Sequence, residues 1–225
     1  MAGQMVSFPS NGHTCEGYLA TPASGRGPGV IVIQEWWGLV PHIKDVADRL
    51  AAEGYVALAP DLYHGKTTTE PDEAGKLMMS MKMDEAARDM AGAFDYLKAH
   101  NATTGKIGSV GFCMGGGLSL YLATLRPVDA CVIYYGVVPG GVKPDINNIK
   151  GAVLGHYAEN DAWASPETAE ALRKQIAGAG KQVEFYTYPG TGHAFFNDDR
   201  PEAYVADAAK LSWERTLAFY KRHLS

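Results

Sequence analysis

Six short runs of apolar residues punctuate the chain, at 29–34, 55–59, 106–111, 130–135, 152–156 and 182–188. Most are almost continuously hydrophobic, the pattern of strands covered on both faces. Near the start, 5–8 and 16–20 flank Asn11-Gly12 and predict an antiparallel hairpin at a sheet edge. Between the runs, apolar residues recur at helical spacing. Ile43, Val46, Ala47 and Leu50 form one stripe over 43–52, which Gly54 should end. Ala87, Met90, Ala91, Phe94 and Leu97 form another over 84–98. Further helices are predicted at 118–125, from Ser165-Pro166 with the serine as N-cap, and at 201–223. This alternation predicts an α/β fold, a mostly parallel central sheet with helices on both faces. No repeat or low-complexity linker divides it, so one domain is expected over 1–225, with polar, methionine-rich 66–83 as a minimal cap.

Composition narrows the field. The 225 residues are 46% hydrophobic and 20% charged, enough apolar material for a full core. Twenty Lys+Arg against 25 Asp+Glu leave a net charge of −5, and no basic run stands out. A role on nucleic acid or at a membrane surface is therefore not expected. No stretch approaches the roughly 18 apolar residues of a membrane helix, and Met1-Ala2-Gly3-Gln4 lacks a signal-peptide pattern. Cys15, Cys113 and Cys131 are an odd count without a C-x-x-C pair. That argues against a disulfide framework or a zinc site and suits a reducing, cytoplasmic setting.

The chemistry concentrates in residues 107–117, I-G-S-V-G-F-C-M-G-G-G, an apolar strand running into glycines and then a helix. Its centre, G-x-C-x-G, is the nucleophile-elbow pattern with cysteine in place of serine. Such a turn is so sharp that side chains two residues either side of the nucleophile would strike the neighbouring strand and helix. The helix N-terminus favours a thiolate, and the N–H of Met114 is the expected oxyanion donor. The competing reading of Cys113 is a buried structural thiol. A phosphate loop fits less well, because neither the P-loop nor the dinucleotide-binding spacing is present.

On such a fold the acid and then the histidine should follow the nucleophile. Of the histidines after Cys113, His156 ends an apolar run and His223 lies at the end of the terminal helix. His193 instead follows a strand in P-G-T-G-H, where its ring can reach over the strand ends. Glu159 and Asp161 follow the 152–156 strand. Asp161 is preferred, because its short side chain in a tight turn can fix the imidazole tautomer.

Together these residues resemble the dienelactone hydrolase, or carboxymethylenebutenolidase-like, family of α/β-hydrolases. The resemblance rests on Q-E-W-W-G at 34–38, A-P-D-L-Y at 59–63, G-F-C-M-G-G at 111–116, Asp161, and G-H-A-F at 192–195. It implies an α/β-hydrolase fold, a Cys113–His193–Asp161 triad, and an oxyanion hole from the N–H groups of Met114 and Trp36. It also brings Glu35 into the site, where a carboxylate would hold back the thiolate until substrate displaces it. By the same resemblance the protein is a monomer that needs no metal or organic cofactor.

One departure bears on substrate. Family members acting on dienelactone hold its carboxylate with arginines, one of them four residues after the histidine. Here that position is Asn197, and 66–83 offers Lys66, Lys76 and Lys82 but no arginine before Arg88. Lysine lacks the bidentate fork. Trp37, Tyr63, Phe195 and Asn197 are candidates for the substrate pocket, and Phe196 flanks the same motif. His64 reads as a surface-loop histidine, and Cys15 and Cys131 as small core residues. The expected activity is hydrolysis of a small activated ester or lactone through an acyl-thioester. The alternatives are a broad ester or thioester hydrolase with another substrate, or a thiol-based redox sensor on the same fold.

Overall fold

The structure, a computed structural model, describes residues 3–10, 12–138, 140 and 142–225. Met1-Ala2, and Asn11 of the expected hairpin turn, lie outside the described residues. The strands follow the order β1-β2-β4-β3-β5-β6-β7-β8 in a mostly parallel sheet, an α/β fold as the alternating pattern predicts. Contacts cluster into two compact units, Met1–Ser109 and Val110–Ser225. Among the described residues no helix is long and apolar enough to cross a membrane.

In the first unit, β1 (Gln4–Ser10) and β2 (His13–Ala20) form the antiparallel hairpin, with Ser10 paired to His13 at its closed end. β2 runs antiparallel to β4 (Val56–Pro60), which is parallel to β3 (Gly27–Ile33). α1 (Pro41–Ala52) buries Ile43, Val46, Ala47 and Leu50, the predicted stripe, and Gly54 follows it at φ +95. Full burial of each large side chain in that stripe contributes about 1.5–3 kcal/mol. The segment at 66–83 holds a helix that periodicity did not reveal, α2 (Pro71–Ser80). Pro71 in its first turn, followed by Asp72 and Glu73, supplies the start signal. Only Ala74 of α2 is buried, and Met79 is 86% exposed, so little packing marks the helix in the sequence. α3 (Met83–Ala99) carries the predicted apolar face and also buries Asp89.

The second unit begins within β5 (Thr103–Phe112) and continues through α4 (Met114–Leu125) and β6 (Ala130–Tyr134). β7 (Ala152–Asn160), α5 (Pro166–Gly178), β8 (Val183–Gly192) and α6 (Ala206–His223) complete it. β6, β7 and β8 are parallel neighbours. α5 begins as expected, with the Ser165 hydroxyl accepting the N–H of Thr168. Several boundaries differ from expectation. α6 starts at Ala206 rather than at 201, because Arg200 and Ala203 are tied into preceding turns. β7 and β8 each run four residues past their apolar runs; β7 continues through buried Tyr157 and Ala158, and backbone pairing carries it on to exposed Asn160 opposite Gly192.

Candidate active site

Cys113 occupies the single residue between β5 and α4, at φ 55 and ψ −122. A side chain rarely adopts positive φ, and such a conformation costs about 1–3 kcal/mol unless its surroundings hold it. Here they do. The Cys113 N–H donates to the Tyr134 carbonyl at 3.1 Å, and its own carbonyl accepts from Gly116 at 2.9 Å and Val137 at 3.1 Å. The flanking glycines make the corner possible. A Cβ on Gly111 would lie 1.8 Å from the Gly115 oxygen, and one on Gly117 would lie 2.2 Å from the Val137 oxygen. α4 therefore starts at Met114, four residues before the apolar stretch that first suggested a helix.

Two further strand ends supply the other groups. β7 and β8 shift register between Ala158 and Asn160, after which Asn160 is paired with Gly192. Asp161 and His193 are the residues that immediately follow these two strands, so the shift sets them side by side. Asp161 Oδ2 lies 2.7 Å from His193 Nδ1. Its Oδ1 accepts the N–H groups of Trp163 at 2.8 Å and Ala164 at 3.0 Å. Both oxygens are thus engaged, and the side chain is fully buried. Burial alone would raise the Asp161 carboxyl, but these hydrogen bonds and the His193 charge hold it below its ordinary value.

With Nδ1 on Asp161, the other imidazole nitrogen is left for the Cys113 sulfur, which is near enough to act on the His193 charge. Burial on its own would lower the imidazole pKa. The hydrogen bond to Asp161 first, and then the neighbouring Cys113 sulfur, outweigh it and raise the value to about 10. His193 therefore keeps its proton at neutral pH beside the sulfur. Tyr135, at φ 37, lies with its ring centroid 5.1 Å from that of His193. Nothing in the sequence marked Tyr135, a tyrosine at the end of an apolar run.

The competing candidates have other partners. Glu159 Oε2 accepts the N–H of Gly190 at 2.8 Å, on the surface. His223 packs on Phe219, with ring centroids 4.6 Å apart. His156 is fully buried, its Nδ1 2.8 Å from the Tyr188 hydroxyl and its Nε2 3.0 Å from Thr216 Oγ1. Burial and the nearby Arg215 charge push its pKa down to about 3. The folded state thus binds fewer protons than the unfolded chain between about pH 6.5 and 3, so His156 costs stability as pH falls through that window. At pH 4.5 the expected loss is on the order of 2–3 kcal/mol. Thermal melts at pH 7.5 and 4.5 check this: the acid-induced drop in Tm should shrink in His156→Gln, and an undiminished drop assigns the lability elsewhere.

The expected pocket residues fall into distinct settings. Phe195 has no exposed surface, and its ring lies 5.0 Å from Tyr188 and 5.5 Å from Tyr135. Phe196 stacks on Phe112 at 5.4 Å. Asn197 is buried, and its side-chain oxygen accepts the N–H of Asp199 at 3.1 Å. Arg200 pairs with Glu202 at 2.6 Å. In the first unit, Glu35 lies two residues past the end of β3 and is 1% exposed. Trp36 and Trp37 meet edge to face at 5.0 Å, and Trp37 is buried. Tyr63 is buried in the turn that Asp61 organises by accepting the N–H groups of Tyr63 and Gly65. Lys76, Lys82 and Arg88 pair with Glu73, Glu85 and Asp84. Cys15 and Cys131 are buried thiols.

This mostly parallel sheet, with a residue at positive φ between strand and helix, is the α/β-hydrolase fold. The sequence pattern of the dienelactone hydrolase family matches residues 15–224, and the chain belongs to that family. It is 42% identical to Protein usf of Aquifex pyrophilus, over 99% of this chain and all of that one. It is 38% identical to the "Putative carboxymethylenebutenolidase" of Aquifex aeolicus, over 99% of each chain. Among solved structures, the "Putative Dienelactone Hydrolase" of Klebsiella pneumoniae superposes with a TM-score of 0.88 at 30% identity, covering 98% of each chain.

Proposed function

We propose that the protein hydrolyses small activated esters or lactones, with Cys113 as nucleophile, His193 as acid and base, and Asp161 as the group that orients the histidine. The observation that carries this reading is His193 held by Asp161 at 2.7 Å, with a cysteine at a strand–helix corner near its other side. The thiolate attacks the carbonyl carbon, a Sγ–C bond forms, and the carbonyl electron pair moves onto oxygen. The N–H of Met114, at the helix start, is the proposed donor to that oxyanion. Collapse breaks the bond to the leaving oxygen, which takes the proton from His193. Water, deprotonated by His193, then cleaves the thioester and restores the thiolate.

Sulfur sets the substrate class. A thiolate leaves a tetrahedral intermediate more readily than an alkoxide does, so unactivated alkyl esters revert to starting material. Enol lactones and aryl esters, with better leaving oxygens, go forward. Neither Asn197 nor the paired Arg200 supplies a free cation for a substrate carboxylate, which favours uncharged activated esters over a dienelactone anion. Roles for Glu35 and the Trp36 N–H rest on the family resemblance alone.

Mixing the protein with an aryl acetate and quenching during turnover should trap an acetyl group on the Cys113 peptide, read by mass spectrometry. An unmodified Cys113 with steady hydrolysis would sink the covalent step. Parallel rates on a dienelactone settle the substrate: a lactone preference would show that another cation holds its carboxylate. Unchanged turnover in Glu35→Ala would remove that residue from the mechanism.

A further inference from the structure

A second cluster of ligating side chains lies entirely within the first unit. Asp89 projects from α3 with its carboxylate fully buried. His13, at the start of β2, places Nε2 2.8 Å from Asp89 Oδ1. His64, in the turn after β4, places Nε2 3.2 Å from Oδ2. One atom from each of the three lies within 4.8 Å of the others. The imidazoles are 34% and 45% exposed, so the cluster opens to solvent on one side.

The hydrogen-bond pattern of Asp89 is lopsided. Oδ1 takes the Ser10 hydroxyl at 2.5 Å as well as His13. Oδ2 is buried and lacks a hydrogen-bond partner, because His64 is near enough to interact but not aligned to donate. A buried carboxylate oxygen left unsatisfied is costly, and native structures seldom tolerate one without a purpose. A bare proton clasp would use both oxygens. A metal ion bound by the two imidazoles and Oδ2 would meet that need.

We propose that His13, His64 and Asp89 form a binding site for a divalent transition-metal ion of the zinc class. Two imidazole nitrogens and one carboxylate are a donor set of that class, and calcium or magnesium would call for oxygen ligands throughout. Ligand atoms around tetrahedral zinc stand about 3.3 Å apart, given bonds of about 2.0–2.1 Å. The present spacing needs only small rotations of two half-exposed rings. Neighbouring Cys15 directs its sulfur at the carbonyl oxygens of Glu16 and Asp61 instead. The ligands come from β2, the turn after β4 and α3, so the ion would clasp the edge hairpin to the helix beneath it. Cysteine spacing could give no hint of such a site, because it uses no thiolate.

Calorimetric titration of chelator-treated protein with zinc chloride tests the site against a His13→Gln/His64→Asn double variant. Asparagine at 64 suits the positive φ of 51 there, so the variant should fold. Any capture of zinc by Cys113 is common to both proteins and cancels. The wild type should bind one more equivalent than the variant, and a saturating dose should raise its Tm by about 5 °C more. Equal stoichiometry and equal Tm shifts in the two proteins overturn the proposal, as does a wild type with no saturable binding.

Discussion

Asp161→Asn should lower kcat on an aryl ester by about 10⁴-fold while leaving the fold and its Tm nearly unchanged. The reason is orientation rather than lost charge alone. Oδ1 already accepts two backbone N–H groups, from Trp163 and Ala164, so the amide oxygen of asparagine must take that place. Its NH₂ group then faces His193 Nδ1 and forces that nitrogen to accept. The imidazole proton moves to Nε2, where it blocks transfer from the thiol. With the carboxylate gone, the histidine also loses the largest influence raising its pKa. NMR titration of the His193 ring should therefore show its pKa falling well below 10 in the variant. A loss of only a few-fold in kcat would mean that Asp161 is a structural carboxylate, and the proposed triad would fall with it.

Gly111→Ala should leave little folded protein. The new Cβ would stand 1.8 Å from the Gly115 oxygen, a main-chain atom that cannot rotate away. Opening the strand–helix corner to relieve this would break the hydrogen bonds that hold Cys113, a loss of about 3 kcal/mol or more. Gly75→Ala is the matched control. Gly75 lies inside α2, has nothing within 4 Å of its added Cβ, and should gain about 0.5–1 kcal/mol from higher helix propensity. Urea denaturation of both variants checks the pair. Equal stabilities would show that the corner relaxes more freely than its contacts indicate.

What the sequence conveyed follows the range of the interactions involved. The β5 corner was legible because four glycines and a cysteine within seven residues describe a local steric constraint. The central strands β3, β4 and β6 were legible because burial on both faces requires unbroken apolar runs. The last residues of β7 and β8 were not, since exposed Asn160 is held there by backbone pairing with Gly192, which is indifferent to side chains. Phe195 read as a pocket residue by its place beside His193, yet the turn at Ala194, at φ 64, is followed by burial of that ring among tyrosines. The cluster of His13, His64 and Asp89 was invisible for another reason. Its members are separated by 51 and 25 positions, and an aspartate in an amphipathic helix ordinarily belongs to the solvent face.

The main chain at Cys113 is tied through its own N–H and carbonyl, and none of those ties involves sulfur. The corner would hold a hydroxyl in the same position. Cysteine and serine codons differ by a single base, so on the proposed mechanism descent can exchange one nucleophile for the other without rebuilding the frame. Each exchange would reset which leaving groups depart, and with them the range of esters a lineage can consume.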